Sequence, residues 1–469
     1  TGNDTFIFGT FFDASDFDTY YWETFNGGLG TDVFQASFAA TIGTGLHLSG
    51  IEELRWNATA NAVSVNLTGI TGITTATIEG DGTANTAFTL LNISGFPALN
   101  FRGNGTQAAQ TSDGVTYSAA GASGSNDSVA ITVGNRVTAM NASGTSNVHT
   151  IGGALTLSGI ETLTVTVTDG PAVFSNITTG STNLTNFTAT ASSNLTLGTV
   201  NSTAGGTTTT SVSLAGVTGN LSALFDSLGN GAIVTLGAGN DTFSSLGSTG
   251  TSATINGGAG NDTITGADAS ADVISGEAGT DIIDGGAGAD TINGGADNDT
   301  ITPGTGNDAV TPGAGNDAII FAATSLDTLT LEAGDIDGTA IDDVFNFTLS
   351  GAFIGTTTEN IGIVADADLS AGGANANAAA GKNIIILTLQ FFADGAALTA
   401  ATTADALVNL DTGNALFVYS TAVGGDTRMA FCAADAAGDL SACVDLAIIT
   451  GLTPAEASTG LLAANFVTD

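Results

Sequence analysis

The amino-acid sequence predicts an all-β chain built around a parallel β-solenoid, and three observations predict it. A strict nine-residue period runs over residues 276–320, in five units reading GEAGTDIID, GGAGADTIN, GGADNDTIT, PGTGNDAVT and PGAGNDAII. On the N-terminal side, stretches such as Ala62-Val63-Ser64-Val65-Asn66-Leu67 and Leu163-Thr164-Val165-Thr166-Val167 alternate apolar and polar residues, the mark of half-buried strands. Helical periodicity is hard to find before about residue 395.

Within each unit the sixth position is Asp: Asp281, Asp290, Asp299, Asp308 and Asp317. The eighth is apolar: Ile283, Ile292, Ile301, Val310 and Ile319. A further unit, GGAGNDTIT, begins at Gly257 and carries Asp262, and a degenerate one carries Asp272. Isolated copies occur as LGAGNDTFS with Asp241 and GGLGTDVFQ with Asp32, while Thr1-Gly2-Asn3-Asp4-Thr5-Phe6 reads as the back half of a repeat. Glycines at positions one, two and four permit tight turns and close backbone approach. The Asp brings a hard oxygen to the turn, and the apolar residue sits on a short strand pointing inward. Carboxylates and turn carbonyls together make an oxygen-only shell, which favours Ca²⁺ over zinc or copper. Stacked turns can share an ion between rungs, and Asp4, Asp32 and Asp241 read as isolated turns of the same kind. A flexible Gly/Asp linker, the opposing reading, has no reason to keep an apolar residue at every ninth position.

Length and charge bound the partners. A chain of 469 residues is enough for two or three domains. It carries 45 acids against five bases (Arg55, Arg102, Arg136, Lys382 and Arg428), for a formal net charge of −40. Nucleic acid and anionic membrane surfaces are therefore poor partners, and no nucleic acid is expected, because little is present to neutralise phosphate. So much like charge also opposes compaction unless cations offset it. The longest apolar run, residues 384–392, is too short for a membrane helix and reads as a buried strand, so no transmembrane segment is expected. Opening inside a motif and without Met, the chain is expected to have lost an upstream region, which leaves any targeting information to the C-terminus. Cys432 and Cys443 either pair across a hairpin, suiting an oxidising exterior, or stay as buried thiols.

Catalytic patterns are missing. Neither His47 nor His149 lies in an HExxH helix, and no GxSxG elbow occurs. Both histidines are expected to be ordinary strand or loop residues, and Trp22 and Trp56 to pack or cap. No enzyme is expected. The Asn-x-Ser/Thr triplets at Asn57, Asn66, Asn92, Asn104, Asn176 and Asn183 follow from a composition rich in Asn, Thr and Ser.

The nonapeptide block resembles the RTX parallel β-roll. That resemblance implies two repeats per coil, with Ca²⁺ bridging turns on one side two repeats apart. It puts Asp281, Asp299 and Asp317 on one edge and Asp262, Asp272, Asp290 and Asp308 on the other. Asp297 in place of Gly, and Pro303 and Pro312 in place of the first Gly, are expected to weaken individual sites. The order of a TGNDTF motif, GGLGTDVFQ and then Ser49-Gly50-Ile51-Glu52-Glu53-Leu54, with the phrase returning as Ser158-Gly159-Ile160-Glu161-Thr162-Leu163, is similar to RTX-type bacterial surface-layer (S-layer) proteins. It implies a type I secreted, extracellular or cell-surface protein whose partner is itself, in a lattice or filament. Contact with a cell-surface polysaccharide would then lie in a region outside this chain. An RTX adhesin binding cells or glycans is the alternative, and a polysaccharide-modifying enzyme a distant third.

The expected organisation is partial calcium turns over 1–44, β-rich solenoid-like regions over 45–155 and 156–235, the β-roll over 236–321, and a small mostly-β cap and secretion domain over 322–469. The flanking Thr/Ala-rich regions read as solenoid coils, reinforced by the echo of Asn183-Leu184-Thr185 in Asn194-Leu195-Thr196, or as a β-sandwich used twice. In the last region strands are expected at 383–392, 415–420, 426–431 and 444–450, and a short helix at 400–410. Glu332, Asp335, Asp337, Asp342 and Asp343 form a further acidic stretch, read as a solvated loop or as another Ca²⁺ site.

Overall fold

The computed structural model describes residues 2–12, 23–38, 46–57, 63–67, 70–80, 88–95, 97–103, 110–112, 115–120, 127–134, 148–179, 184–201, 209–246, 248, 252–267, 269–322, 327–330, 344–348, 361–364, 384–391, 415–420, 427–434, 440–450 and 466–467. All regular structure among them is β-strand. None of it is a helix long and apolar enough to cross a membrane. The chain divides into two compact units, Thr1–Gly258 and Ala259–Asp469.

In the first unit most strands form two parallel stacks, while Glu23–Asn26 and Leu46–Ser49 pair in a separate two-stranded parallel sheet. One stack runs through Thr5–Phe12, Val33–Phe38, Glu53–Asn57, Thr75–Gly80, Ala98–Gly103, Ser128–Gly134, Thr162–Val167, Asn186–Ala191, Thr209–Val217, Leu228–Thr235 and Ala253–Ala259. The other runs through Val63–Asn66, Phe88–Ser94, Val115–Ala120, His149–Ser158, Ala172–Thr178, Leu195–Asn201, Leu221–Phe225 and Thr242–Ser244. This is the solenoid reading. The sandwich alternative fails because a sandwich of this size is built from antiparallel pairs, whereas every pairing among the described residues of this unit is parallel.

The sequence pattern explains the stacking. Thr162–Val167 buries Leu163, Val165 and Val167 and turns its threonines outward. Register sets Leu163 against Phe187, Val165 against Ala189 and Val167 against Ala191, so like faces stack into apolar columns. β-Branched Thr and Val suit this pleated, half-buried surface. The ring of Phe187 meets that of Phe225 edge-on, with centroids 5.4 Å apart, and Phe225 lies 5.9 Å from Phe243. The Asn-Leu-Thr echo is the half-coil: Leu184 and Leu195 are both buried, one entering Asn186–Ala191 and the other opening Leu195–Asn201.

The second unit has shorter coils. Thr291 pairs in parallel with Ala309, eighteen residues or two nonapeptides later, and Ile282 pairs likewise with Thr300. Its inner columns are Ile264, Ile283, Ile301 and Ile319 on one side and Ile274, Ile292, Val310 and Leu329 on the other, all buried. Beyond the repeats, Val344–Thr348 pairs with Ala318–Ala322 and Leu440–Thr450 with Asp327–Thr330, both parallel. Leu440–Thr450, Thr427–Ala434 and Ala415–Ser420 form an antiparallel meander, joined in parallel by Ile384–Phe391. The four expected strands of this region are present, within a few residues at their ends. The expected helix at 400–410, the acids Glu332, Asp335, Asp337, Asp342 and Asp343, residue Trp22 and most of the C-terminal segment lie outside the described residues.

Two outcomes follow from this packing. Phe187→Ala should destabilise the first unit by about 3–5 kcal/mol, the usual cost of an aromatic-sized cavity, read by denaturant melts. Cys432 and Cys443 sit opposite one another in the antiparallel register. That pairing places Cα atoms roughly 4.5–5.5 Å apart, within disulfide range. Both should therefore resist alkylation in the folded, unreduced protein and react after reduction.

Candidate metal centre: a ladder of buried carboxylates

The repeat aspartates stand at the turn that precedes each strand, and they bond to each other's backbone from coil to coil. The N–H groups of Asp272, Asp281, Asp290 and Asp299 donate to Oδ1 of Asp290, Asp299, Asp308 and Asp317, each at 2.8 Å and eighteen residues on. Asp262 N–H donates to Asp281 Oδ1 at 2.8 Å and Asp308 N–H to Asp327 Oδ1 at 3.1 Å. The carbonyls complete each rung, with Asp281 O accepting from Thr300 N–H and Asp290 O from Ala309 N–H at 2.8 and 2.7 Å.

The columns are therefore Asp262, Asp281, Asp299, Asp317 and Asp272, Asp290, Asp308, Asp327. This corrects the expectation that Asp262 shares an edge with Asp272. Turns change side at every repeat, so consecutive aspartates always fall on opposite edges. The extra residue before Asp272 lengthens one coil to nineteen without altering that parity. Asp327 is the rung that sequence reasoning missed. It is buried and has Leu329 two residues on, in the same Asp-x-apolar spacing, but an irregular step of nineteen after Asp308 hides it from a nine-residue scan.

All eight aspartates are at most 2% exposed. Oδ1 is satisfied by a neighbour's N–H, but Oδ2 of Asp281, Asp290, Asp299 and Asp308 is buried without a hydrogen-bond partner. In the turns of Asp281, Asp290 and Asp299 glycine at position one leaves room for Oδ2, and a Cβ on Gly294 would overlap both Asp299 Oδ2 and the carbonyl of Pro312 in the next coil; in the turn of Asp308 that position is Pro303. Gly285 relates in the same way to Asp290 Oδ2 and Pro303 O. The prolines thus supply the carbonyl that glycine supplies elsewhere, as Gly294 O does beside Gly276, but lack the N–H that Gly285 at the same position donates to Thr302 O at 2.9 Å. At positions two and four, Glu277 and Asp297 hold a left-handed backbone, each with φ of 74°, as the glycines they replace would.

Burial, with neighbouring aspartates adding to it, pushes Asp290 and Asp299 up to about 7; burial likewise takes Asp281 to about 6, and Asp308 is raised for the same reason. A second, outer ladder runs beside the first. Asn298 Oδ1 accepts from Asn316 N–H at 3.0 Å and Asn261 Oδ1 from Thr280 N–H at 3.1 Å, which explains Asn before Asp in the repeat.

The outlying aspartates differ. Asp32 is buried, takes Asp4 N–H on Oδ1 at 2.6 Å and keeps a buried Oδ2 with no partner, whereas Asp4 is exposed. Asp241 is buried with both oxygens on backbone N–H groups, of Leu221 at 2.9 Å and Gly237 at 3.0 Å. His149 is buried in strand His149–Ser158 beside Phe101, and burial lowers its pKa to about 4, so it is neutral at physiological pH. Among the described residues no three His, Cys, Asp or Glu side chains gather at one point. A cation here must then be held by one or two carboxylates and turn carbonyls. Orphaned Oδ2 atoms beside carbonyls, with no nitrogen or sulfur donor, fit Ca²⁺.

The titration has a definite sign. A folded-state pKa raised above the ordinary 3.8 contributes stability that is complete below that value and lost as pH rises through about 6 to 7. Calcium-free protein should therefore keep more β-roll structure at pH 5 than at pH 8, by circular dichroism. In Ca²⁺ the order should reverse, since protons compete for the same oxygens. Gly294→Ala should cost about 1–3 kcal/mol by overpacking, shifting the calcium midpoint of folding upward by roughly tenfold.

Residues 249–270, 267–301 and 284–319 match the family model of the RTX calcium-binding nonapeptide repeat. Neither a search of curated proteins nor one of solved structures found a match. The matched stretch contains the aspartates of both columns from Asp262 to Asp317, and these repeats bind Ca²⁺.

Proposed function

We propose that the protein is a secreted structural subunit that folds on binding Ca²⁺ and assembles with copies of itself into a cell-surface layer or extracellular filament. The observation that carries this reading is the ladder of buried carboxylates with unpartnered oxygens, a core that needs a divalent cation to be stable at neutral pH. Where free Ca²⁺ is scarce, as inside a cell, the acidic repeats stay unfolded and exportable. Outside, binding drives folding by mass action. A subunit of charge −40 repels its own copies, and bound Ca²⁺ lowers that charge. Extended parallel stacks in both units, five bases in all and no catalytic motif in the sequence favour a structural role over catalysis.

Electron microscopy of the purified protein before and after millimolar Ca²⁺ tests the reading. Ordered sheets or fibres are expected, dispersing in excess chelator together with loss of the β-roll signal in circular dichroism. An intact lattice with unchanged dichroism in chelator overturns it. Single particles that bind cells or glycans without assembling select the adhesin instead.

A further inference from the structure

Two glutamates outside the nonapeptide block stand where its aspartates stand. Glu52 closes the Ser-Gly-Ile-Glu phrase, and its Oε2 accepts the N–H of Asp32, one coil earlier, at 2.8 Å. That is the bond Oδ1 of Asp299 makes to Asp281. Asp32 in turn takes Asp4 N–H on its own Oδ1, so Asp4, Asp32 and Glu52 form a column like those of the second unit. Asp32 O accepts the N–H groups of both Glu52 and Glu53, at 3.1 and 3.0 Å.

The turn around Asp32 carries the same signature as the calcium turns. Asp32 is 0% exposed, and its Oδ2 has no partner. A Cβ on Gly27 would overlap Asp32 Oδ2 and the carbonyl of Gly50 together, as one on Gly294 would overlap Asp299 Oδ2 and Pro312 O. The second copy of the phrase repeats the arrangement. Glu161 Oε2 accepts Asp127 N–H at 2.8 Å, Asp127 O accepts from Glu161 and Thr162, and Asp127 Oδ2 is again buried and unpartnered. In both copies a threonine forms the next rung: Thr74 and Thr185 donate N–H and Oγ1–H to the glutamate carbonyl. The glutamate is thus the last acid of each column.

We propose that Asp32 and Glu52, with the carbonyl of Gly50, form a calcium site of the first unit, and that Glu52 is a ligand in it. The inference rests on turn carboxylates one coil apart holding Ca²⁺, here the buried Asp32 and the half-buried Glu52, and is independent of assembly. The donor set is oxygen only, and the carboxylates supply the charge that a backbone cage alone lacks.

Native mass spectrometry of the full chain at saturating Ca²⁺ counts the bound ions directly. Glu52→Gln keeps an oxygen to accept Asp32 N–H but removes the charge, and it should lose one bound ion. Asp32→Asn should do the same, and the double variant should lose that one ion and no more. Asp281→Asn combined with Glu52→Gln should lose one ion more than Asp281→Asn alone, since the two turns are separate sites. A folded Glu52→Gln protein with an unchanged ion count overturns the proposal and makes Glu52 a structural cap only.

Discussion

Everything in the nonapeptide unit hangs on one bond, the backbone N–H of each turn aspartate donating to the carboxylate one coil ahead. It sets the spacing of turns and draws the carboxylate under the backbone. It also leaves the second oxygen of Asp281, Asp290, Asp299 and Asp308 in a dry place with no donor. Several ionised carboxylates so placed cannot be tolerated together without compensation, since desolvation costs several kcal/mol per ion. The raised pKa values express the same conflict. Three resolutions exist: a proton, a divalent cation, or unfolding. The Ca²⁺ that these repeats bind is the resolution that leaves the carboxylates ionised within the fold.

The two units meet the problem of a thin core differently. A nonapeptide coil of eighteen residues offers little more than two apolar side chains, such as Ile283 and Ile292, to its interior. That is a small core per ordered residue, and metal supplies the missing stabilisation. The first unit uses longer coils, as from Asn186 to its partner Ser211. Each then buries several larger side chains, with Phe187, Phe225 and Phe243 in ring contact. Its corners can be closed by neutral groups, as where Thr209 Oγ1 bonds Leu184 O and Asn220 N–H bonds Asn194 Oδ1. Among the described residues, acids stand at a few of its corners, Asp32 and Asp241 included.

Charge links fold and environment. The acids of the ladders are a small part of the 45 in the chain, and five bases cannot balance them. Described ion pairs are correspondingly sparse and local, with Arg55 on Glu53 and Arg428 on Asp445. Cations from solution therefore act on two scales, by completing individual turns and by lowering the repulsion of the whole surface.

Much of this was legible in the sequence by itself. The ninefold spacing of Asp and of Ile determined the turn chemistry, the inward face and the metal, because period, glycine and oxygen donors are local properties of the chain. Alternation determined strands such as Thr162–Val167 for the same reason. Three things required the tertiary structure. Alternating strands look the same in a sandwich and a solenoid, so only parallel pairing between coils separated them. The edge assignment of Asp262 depended on which side a turn faces, a matter of parity around the coil. And the places of Asp327, Glu52 and Glu161 in the columns arise from residues brought together across coils of nineteen, twenty and thirty-four residues. No fixed period in the sequence records such contacts, because insertions within a coil change the count along the chain while leaving the rung above it in place.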